Sequence, residues 1–251
     1  MRILLILVIM LSISASTAFA QIRGEVIEYK QGTTVLEGYL AYDDSIKGKR
    51  PGVLVVHDWL GVGPYVRARA QQLASLGYIA FAPDIYGKDI RPVDNKEAAK
   101  VSNELKNDRM LLRLRVNAGL DILRNHPLTD PDKLGAIGYC FGGMTVLELA
   151  RSGANIAGVV SFHGNLDTPA DTSSIHTKVL VLHGAEDPVV PPAQVAAFEN
   201  EMRKANVDWQ LNVYSGAAHN FTNPNSPAYN RQVDRRSFEA MKAFFRELFA
   251  Q

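Results

Sequence analysis

Gly138-Tyr139-Cys140-Phe141-Gly142-Gly143 lies between the apolar run Leu134 to Ile137 and a helix-like stretch that opens at Phe141. Small residues on both sides of a central side chain, at a strand-to-helix junction, allow a backbone bend too sharp for bulkier neighbours. A chain carrying such a turn needs a strand that ends where a helix begins. The apical side chain, Cys140, is then held proud of the sheet above a helix N-terminus. Unpaired backbone N–H groups there favour a thiolate, and the Phe141 N–H points to where a carbonyl oxygen would gain negative charge. In isolation the same residues also fit a buried cysteine beside a glycine-rich packing turn.

The rest of the chain supports the strand-and-helix reading. Val26 to Tyr42 alternates around Gln31-Gly32 as an antiparallel hairpin does. Apolar runs follow at Val53–Val56, Tyr78–Phe81, Leu134–Tyr139, Ala157–Ser161, Val179–Leu182 and Leu211–Tyr214. Between them, helical spacing places Val66/Ala70/Leu73, Leu111/Leu114/Ala118/Ile122, Val195/Phe198/Met202 and Phe238/Met241/Phe245/Leu248 on core-facing stripes. Strands that are apolar throughout and alternate with helices predict an α/β fold: a mostly parallel sheet with helices on both faces, preceded by the hairpin. Loops at the carboxyl ends of such strands converge, so a site is sought there.

Those loops carry reactive groups. His183-Gly184-Ala185-Glu186-Asp187-Pro188 follows one run and Ala218-His219-Asn220-Phe221 another, giving the chain order Cys140, Asp187, His219. Nucleophile, acid and histidine in that order match the α/β-hydrolase arrangement. Its chemistry needs an imidazole to take the thiol proton and a carboxylate to fix the ring tautomer. Singly, Asp187 also fits a turn residue and His219 a surface loop. His57-Asp58-Trp59-Leu60-Gly61 follows the first parallel strand, where the fold supplies a second oxyanion donor, assigned to the Trp59 N–H beside that of Phe141. Asp58 either contacts the thiol or His219, or caps the next turn. Trp59, Tyr86 and Phe141 are candidates for an acyl pocket, and each also fits ordinary packing.

Together with Pro83-Asp84-Ile85-Tyr86, these segments make the chain resemble the dienelactone hydrolase family over essentially all of residues 21–251. The resemblance implies an α/β-hydrolase fold, a Cys140-Asp187-His219 triad, no cofactor, and hydrolysis of an ester or lactone through an acyl-thioenzyme. It also implies accessory roles for Asp58, Tyr86, Lys88 and Asn223. Dienelactone hydrolases proper hold a glutamate where this chain has Asp58. They grip a substrate carboxylate with two arginines where it has Lys88 and Asn223.

Arg2, the apolar stretch Ile3 to Leu11 and the ending Ala18-Phe19-Ala20 have the three parts of a secretory signal peptide. Cleavage after Ala20 leaves 21–251 as a single hydrolase domain, exported to the periplasm or secreted and free of the membrane. The alternative, a membrane anchor, is opposed by an apolar core shorter than the roughly 20 residues a bilayer needs. Cys140 is the only cysteine, so no intrachain disulfide occupies it. A net charge of +1 without basic clusters argues against a nucleic-acid partner and leaves small molecules, which the resemblance implies are an ester or lactone. Nothing sets the oligomeric state.

Two rival readings stay open. His57, His163, His183 and His219 all follow strands and would make a metal site with Asp58 or Asp187, although no HExxH or tight ligand spacing is present. The scaffold also suits binding or redox sensing at Cys140 without turnover. His126 and His176 sit in polar, loop-like surroundings and read as solvated. Asn220-Phe221-Thr222 matches a glycosylation acceptor, but its place beside His219 reads as coincidence.

Overall fold

The computed structural model describes residues 21–169 and 175–250. The expected signal segment, residues 1–20, lies outside them. Strands β1 (Ile22–Gln31) and β2 (Thr34–Asp43) pair antiparallel with Gln31 opposite Thr34, joined through Gly32, whose φ of +57° suits a tight hairpin turn. Then come β3 (Arg50–Val56), α1 (Pro64–Ala74), β4 (Ile79–Ala82), α2 (Asn95–Asn107), α3 (Arg109–Arg124) and β5 (Thr129–Tyr139). The remaining elements are α4 (Phe141–Arg151), β6 (Gly158–Phe162), β7 (Lys178–Gly184), α5 (Pro192–Ala205), β8 (Trp209–Tyr214) and α6 (Arg231–Phe249).

The eight strands among the described residues form one sheet in the order β1-β2-β4-β3-β5-β6-β7-β8. β2 runs antiparallel to β4, and every pairing from β4 through β8 is parallel. This is the fold class expected from the sequence. Alternate side chains leave a strand on opposite faces, and here both faces are covered. Val53 and Val55 of β3 join Leu73 of α1 and Met241 and Phe245 of α6 in one core. Leu54 and Val56 join Leu112 and Val116 of α3, Met144 of α4 and Phe198 of α5 in the other.

Two helices depart from the expectation. The α3 stripe was placed one residue out of phase: Leu112, Val116, Leu120 and Leu123 are buried, whereas Leu114 is 50% exposed. The buried face also carries Arg115 and Gly119, which obscure it in a hydropathy pattern. Arg115 is satisfied there by Gln31 Oε1, Thr34 Oγ1 and the Tyr86 carbonyl. Helix α2 was not anticipated at all, because it buries only Ala98, Ser102 and Leu105. Its start was nonetheless written in Asp94-x-x-Glu97: Asp94 accepts from the Glu97 N–H at 2.8 Å, and Glu97 reaches back to the Val93 N–H at 3.1 Å.

The helix behind the Cys140 turn is held by charge as well as by packing. Glu148 of α4 is fully buried and accepts from Arg109 and Arg113 of α3 at 2.7 and 2.8 Å and from Arg151 at 2.9 Å. Arg151 in turn meets Glu201 of α5 at 2.6 Å. Removing the carboxylate from this fully buried point takes from Arg113 its acidic partner among the described residues, and leaves Arg109 with Asp167 and Arg151 with Glu201. Glu148→Ala is therefore expected to lower the unfolding free energy by about 3–5 kcal/mol, read from urea denaturation.

Candidate active site

Cys140 sits between the last residue of β5 and the first of α4 with a φ of 55°, and its side chain is half-buried. The glycines around it are required by close backbone approach. A Cβ on Gly138 would overlap the Gly142 carbonyl, and one on Gly142 would overlap the carbonyl of Val56 in β3. On Gly143 it would lie 2.7 Å from Ser161 Oγ. The Cys140 N–H donates to the Phe162 carbonyl at 3.0 Å and to His163 Nδ1 at 3.2 Å, fixing the bend against β6. The sulfur thus stands over the first turn of α4, whose N–H groups have no partner within the helix.

The loop after β8 brings His219 to this sulfur. Its Nε2 lies 3.1 Å from Cys140 Sγ, and its Nδ1 lies 2.9 Å from Asp187 Oδ2. Asp187 follows β7, and its other oxygen accepts from the Val189 and Val190 N–H groups at 2.8 and 3.3 Å. Asp187 thus contacts both the turn that follows it and the histidine. Glu186 ties the two loops together, its Oε2 accepting from the Ala217 N–H and its own N–H donating to the Ala217 carbonyl.

Burial opposes a charge on His219, but the hydrogen bonds and negative charge of Asp187 and Cys140 outweigh it and push the imidazole from 6.5 up to about 10. Burial raises Asp187, and its hydrogen bond to His219 and the charge there more than offset this, leaving it below the usual carboxylate value.

The His57–Leu60 loop faces Cys140 from β3. His57 is buried, with Nε2 3.2 Å from the Ile85 N–H and Nδ1 2.6 Å from the Asp58 carbonyl. An amide only donates, so Nε2 is the bare nitrogen and the proton sits on Nδ1. Burial, the largest influence, lowers this histidine and keeps it neutral. Tyr86 donates to the Trp59 carbonyl at 3.0 Å and packs edge-on to His57. Asp58 caps the turn by accepting from the Leu60 N–H at 2.9 Å, and burial pushes its carboxyl upward. Of its two expected roles, the cap is the one observed.

Tyr86 and the Phe141 ring are buried, leaving Trp59, half-buried, as the most open of the three pocket aromatics. The Lys88 ammonium is paired with Glu28 of β1, and Asn223 is buried with Oδ1 accepting from the Asn225 N–H at 3.0 Å. His163 engages both ring nitrogens within the protein, as His57 does. His183 is buried, with Nδ1 unpartnered, and burial lowers it. Among the described residues no three His, Cys, Asp or Glu side chains are arranged to hold a metal ion. His126 is half-buried against Tyr42, at 5.9 Å between ring centres, rather than solvated, whereas His176 is exposed. Thr222 turns inward and is fully buried.

A family model for the dienelactone hydrolase family matches residues 36–249. The chain belongs to that family. A Bradyrhizobium protein named a probable 2-oxo-3-(5-oxofuran-2-ylidene)propanoate lactonase is 30% identical over 188 residues, 70% of this chain and 75% of the relative. The crystal structure of a dienelactone hydrolase-like promiscuous phosphotriesterase from metagenomic libraries is 36% identical, with a TM-score of 0.86 over 92% of this chain and 99% of that one. A second solved structure, titled m3DLH, is 40% identical with a TM-score of 0.87, over 91% and 99% of the two chains. This dienelactone hydrolase family member is accordingly a hydrolase of esters or lactones.

The His219 environment makes a direct prediction. In Asp187→Asn the imidazole loses a hydrogen-bonded charge, and its titration, followed by NMR, should move down from about 10 towards 6.5. Because the folded value exceeds the unfolded one, the stability this charge adds is fully present below pH 6.5 and is lost as pH rises through about 10.

Proposed function

We propose that this family member is an exported hydrolase that cleaves carboxylic esters or lactones through an acyl-thioenzyme on Cys140. The observation that carries this reading is the continuous contact from Cys140 Sγ through His219 to Asp187, at 3.1 and 2.9 Å, on a turn whose backbone leaves the sulfur half-exposed. A thiolate beside an imidazolium is the nucleophilic form of cysteine.

The sulfur attacks the substrate carbonyl carbon, forming the C–S bond as the carbonyl π pair moves to oxygen. The N–H groups of Phe141 and Trp59 receive that charge. Collapse breaks the C–O bond, and His219 gives its proton to the departing alkoxide. With the thiolate consumed, one of the two charges that raised His219 is gone, so the ring is left neutral. It then takes a proton from water, which attacks the thioester; the second collapse expels the thiolate and releases the acid. Asp187 holds Nδ1–H throughout and keeps Nε2 directed at the sulfur.

Lys88 is neutralised by Glu28 and Asn223 bears no charge, which favours substrates lacking a carboxylate over anionic lactones. Export is supported by the three-part segment of residues 1–20.

Brief exposure to an activated acetyl ester should add an acetyl group to Cys140, located by peptide mass spectrometry, with no labelling in Cys140→Ala. Label elsewhere overturns the assignment. Turnover of neutral esters should fall at least about a thousandfold in both Cys140→Ala and His219→Ala. Fractionated cells expressing the whole chain should yield a product whose N-terminal sequence begins at Gln21.

A further inference from the structure

We propose that His163 is a positioning residue that fixes the separation of Cys140 and His219 by bracing both from one buried ring. The inference rests on reading those two side chains as the reacting pair.

His163 is the first residue after β6, with a φ of 41°, and its N–H donates to the Leu182 carbonyl of β7 at 2.9 Å. Its ring is fully buried between the two halves of the site. On one side Nδ1 accepts from the Cys140 N–H at 3.2 Å, which requires Nδ1 to be bare and Nε2 to carry the proton. On the other side Nε2 donates to Thr222 Oγ1 at 2.6 Å, and Thr222 lies in the loop that carries His219. That loop is anchored further: Thr222 Oγ1 meets Tyr65 of α1 at 2.7 Å, and the Thr222 carbonyl accepts from Arg69 at 2.6 Å. Arg69 also pairs with Asp234 of α6 at 2.6 Å. One imidazole therefore spans from the nucleophile's own amide to the loop that places the proton carrier.

The same ring lies 5.4 Å from the His219 ring, edge to face, with Phe221 at 5.1 Å and Tyr139 at 6.2 Å. A second cation there would repel the His219 imidazolium. Burial, then the charges of His219, Arg69 and His183, hold His163 well below the ordinary histidine value, so it braces without competing for charge. A buried, doubly bonded ring is stiff on the scale that matters, because displacements near 1 Å at a reacting pair cost up to about a hundredfold in rate.

The test uses mature protein and reads the pair without a substrate: the rate of Cys140 alkylation by iodoacetamide across pH. Thr222→Val keeps the side-chain shape and removes the hydroxyl. It should slow alkylation at pH 7 by about 10- to 100-fold, with a similar loss in kcat and KM changed less than about twofold. Thr222→Ser should restore most of both. His163→Ala should resemble Thr222→Val, with circular dichroism confirming that each variant is folded. Folded Thr222→Val and His163→Ala with the wild-type alkylation profile would overturn the proposal, as would a Thr222→Ser as impaired as Thr222→Val. Wild-type protein that alkylates like a free thiol at every pH would remove the pair and the proposal with it. A reactive wild-type thiol that turns over no ester would count against the hydrolase reading alone, and the variant comparison would still decide the role of His163.

Discussion

The site depends on how closely four stretches of backbone approach one another around Cys140. Gly138, Gly142 and Gly143 bring the end of β5 and the start of α4 against β3 and against the residues after β6, at distances that leave no room for a Cβ. With a φ of 55° at its apex, the turn is a locally unfavourable conformation for any residue but glycine. It persists because its surroundings over-determine it: the Cys140 amide is bonded to β6, and the following helix is locked by the Glu148 cluster. The position of the sulfur is therefore a property of the sheet rather than of a mobile loop.

Charge is distributed around that point in a particular way. His219 bonds a carboxylate through one ring nitrogen and the sulfur through the other, which raises it against its burial. Burial lowers His57 and His163, whose ring nitrogens are spent on amides, a carbonyl and a hydroxyl. The environment, not the residue type, separates the raised histidine from the two lowered ones.

Much of this was legible in the sequence, for reasons that can be stated. Parallel strands with both faces covered are apolar throughout, so Val53–Val56 and Val179–Leu182 announced themselves, and each reactive loop followed such a run. Cys140, Asp187 and His219 were found by chain order, which a fold with one strand per loop preserves. The phase of α3 was missed because Arg115 and Gly119 lie on its buried face, one satisfied by hydrogen bonds and the other pressed against Pro83. In the sequence Thr222 figures only as part of a glycosylation sequon whose match reads as coincidence. Its contacts with Tyr65 and His163 span 157 and 59 residues, and no local pattern encodes pairings of that range.

The latch on the Trp59 loop reaches beyond the loop itself. Both groups that hold it, the Ile85 amide and the Tyr86 hydroxyl, belong to the connection between β4 and α2, and the Tyr86 carbonyl is itself gripped by Arg115 of α3. Insertions or substitutions in that connection would shift the backbone of the Trp59 loop from outside it. The placement of one loop is thus written in residues of another, a helix and a strand further along the chain.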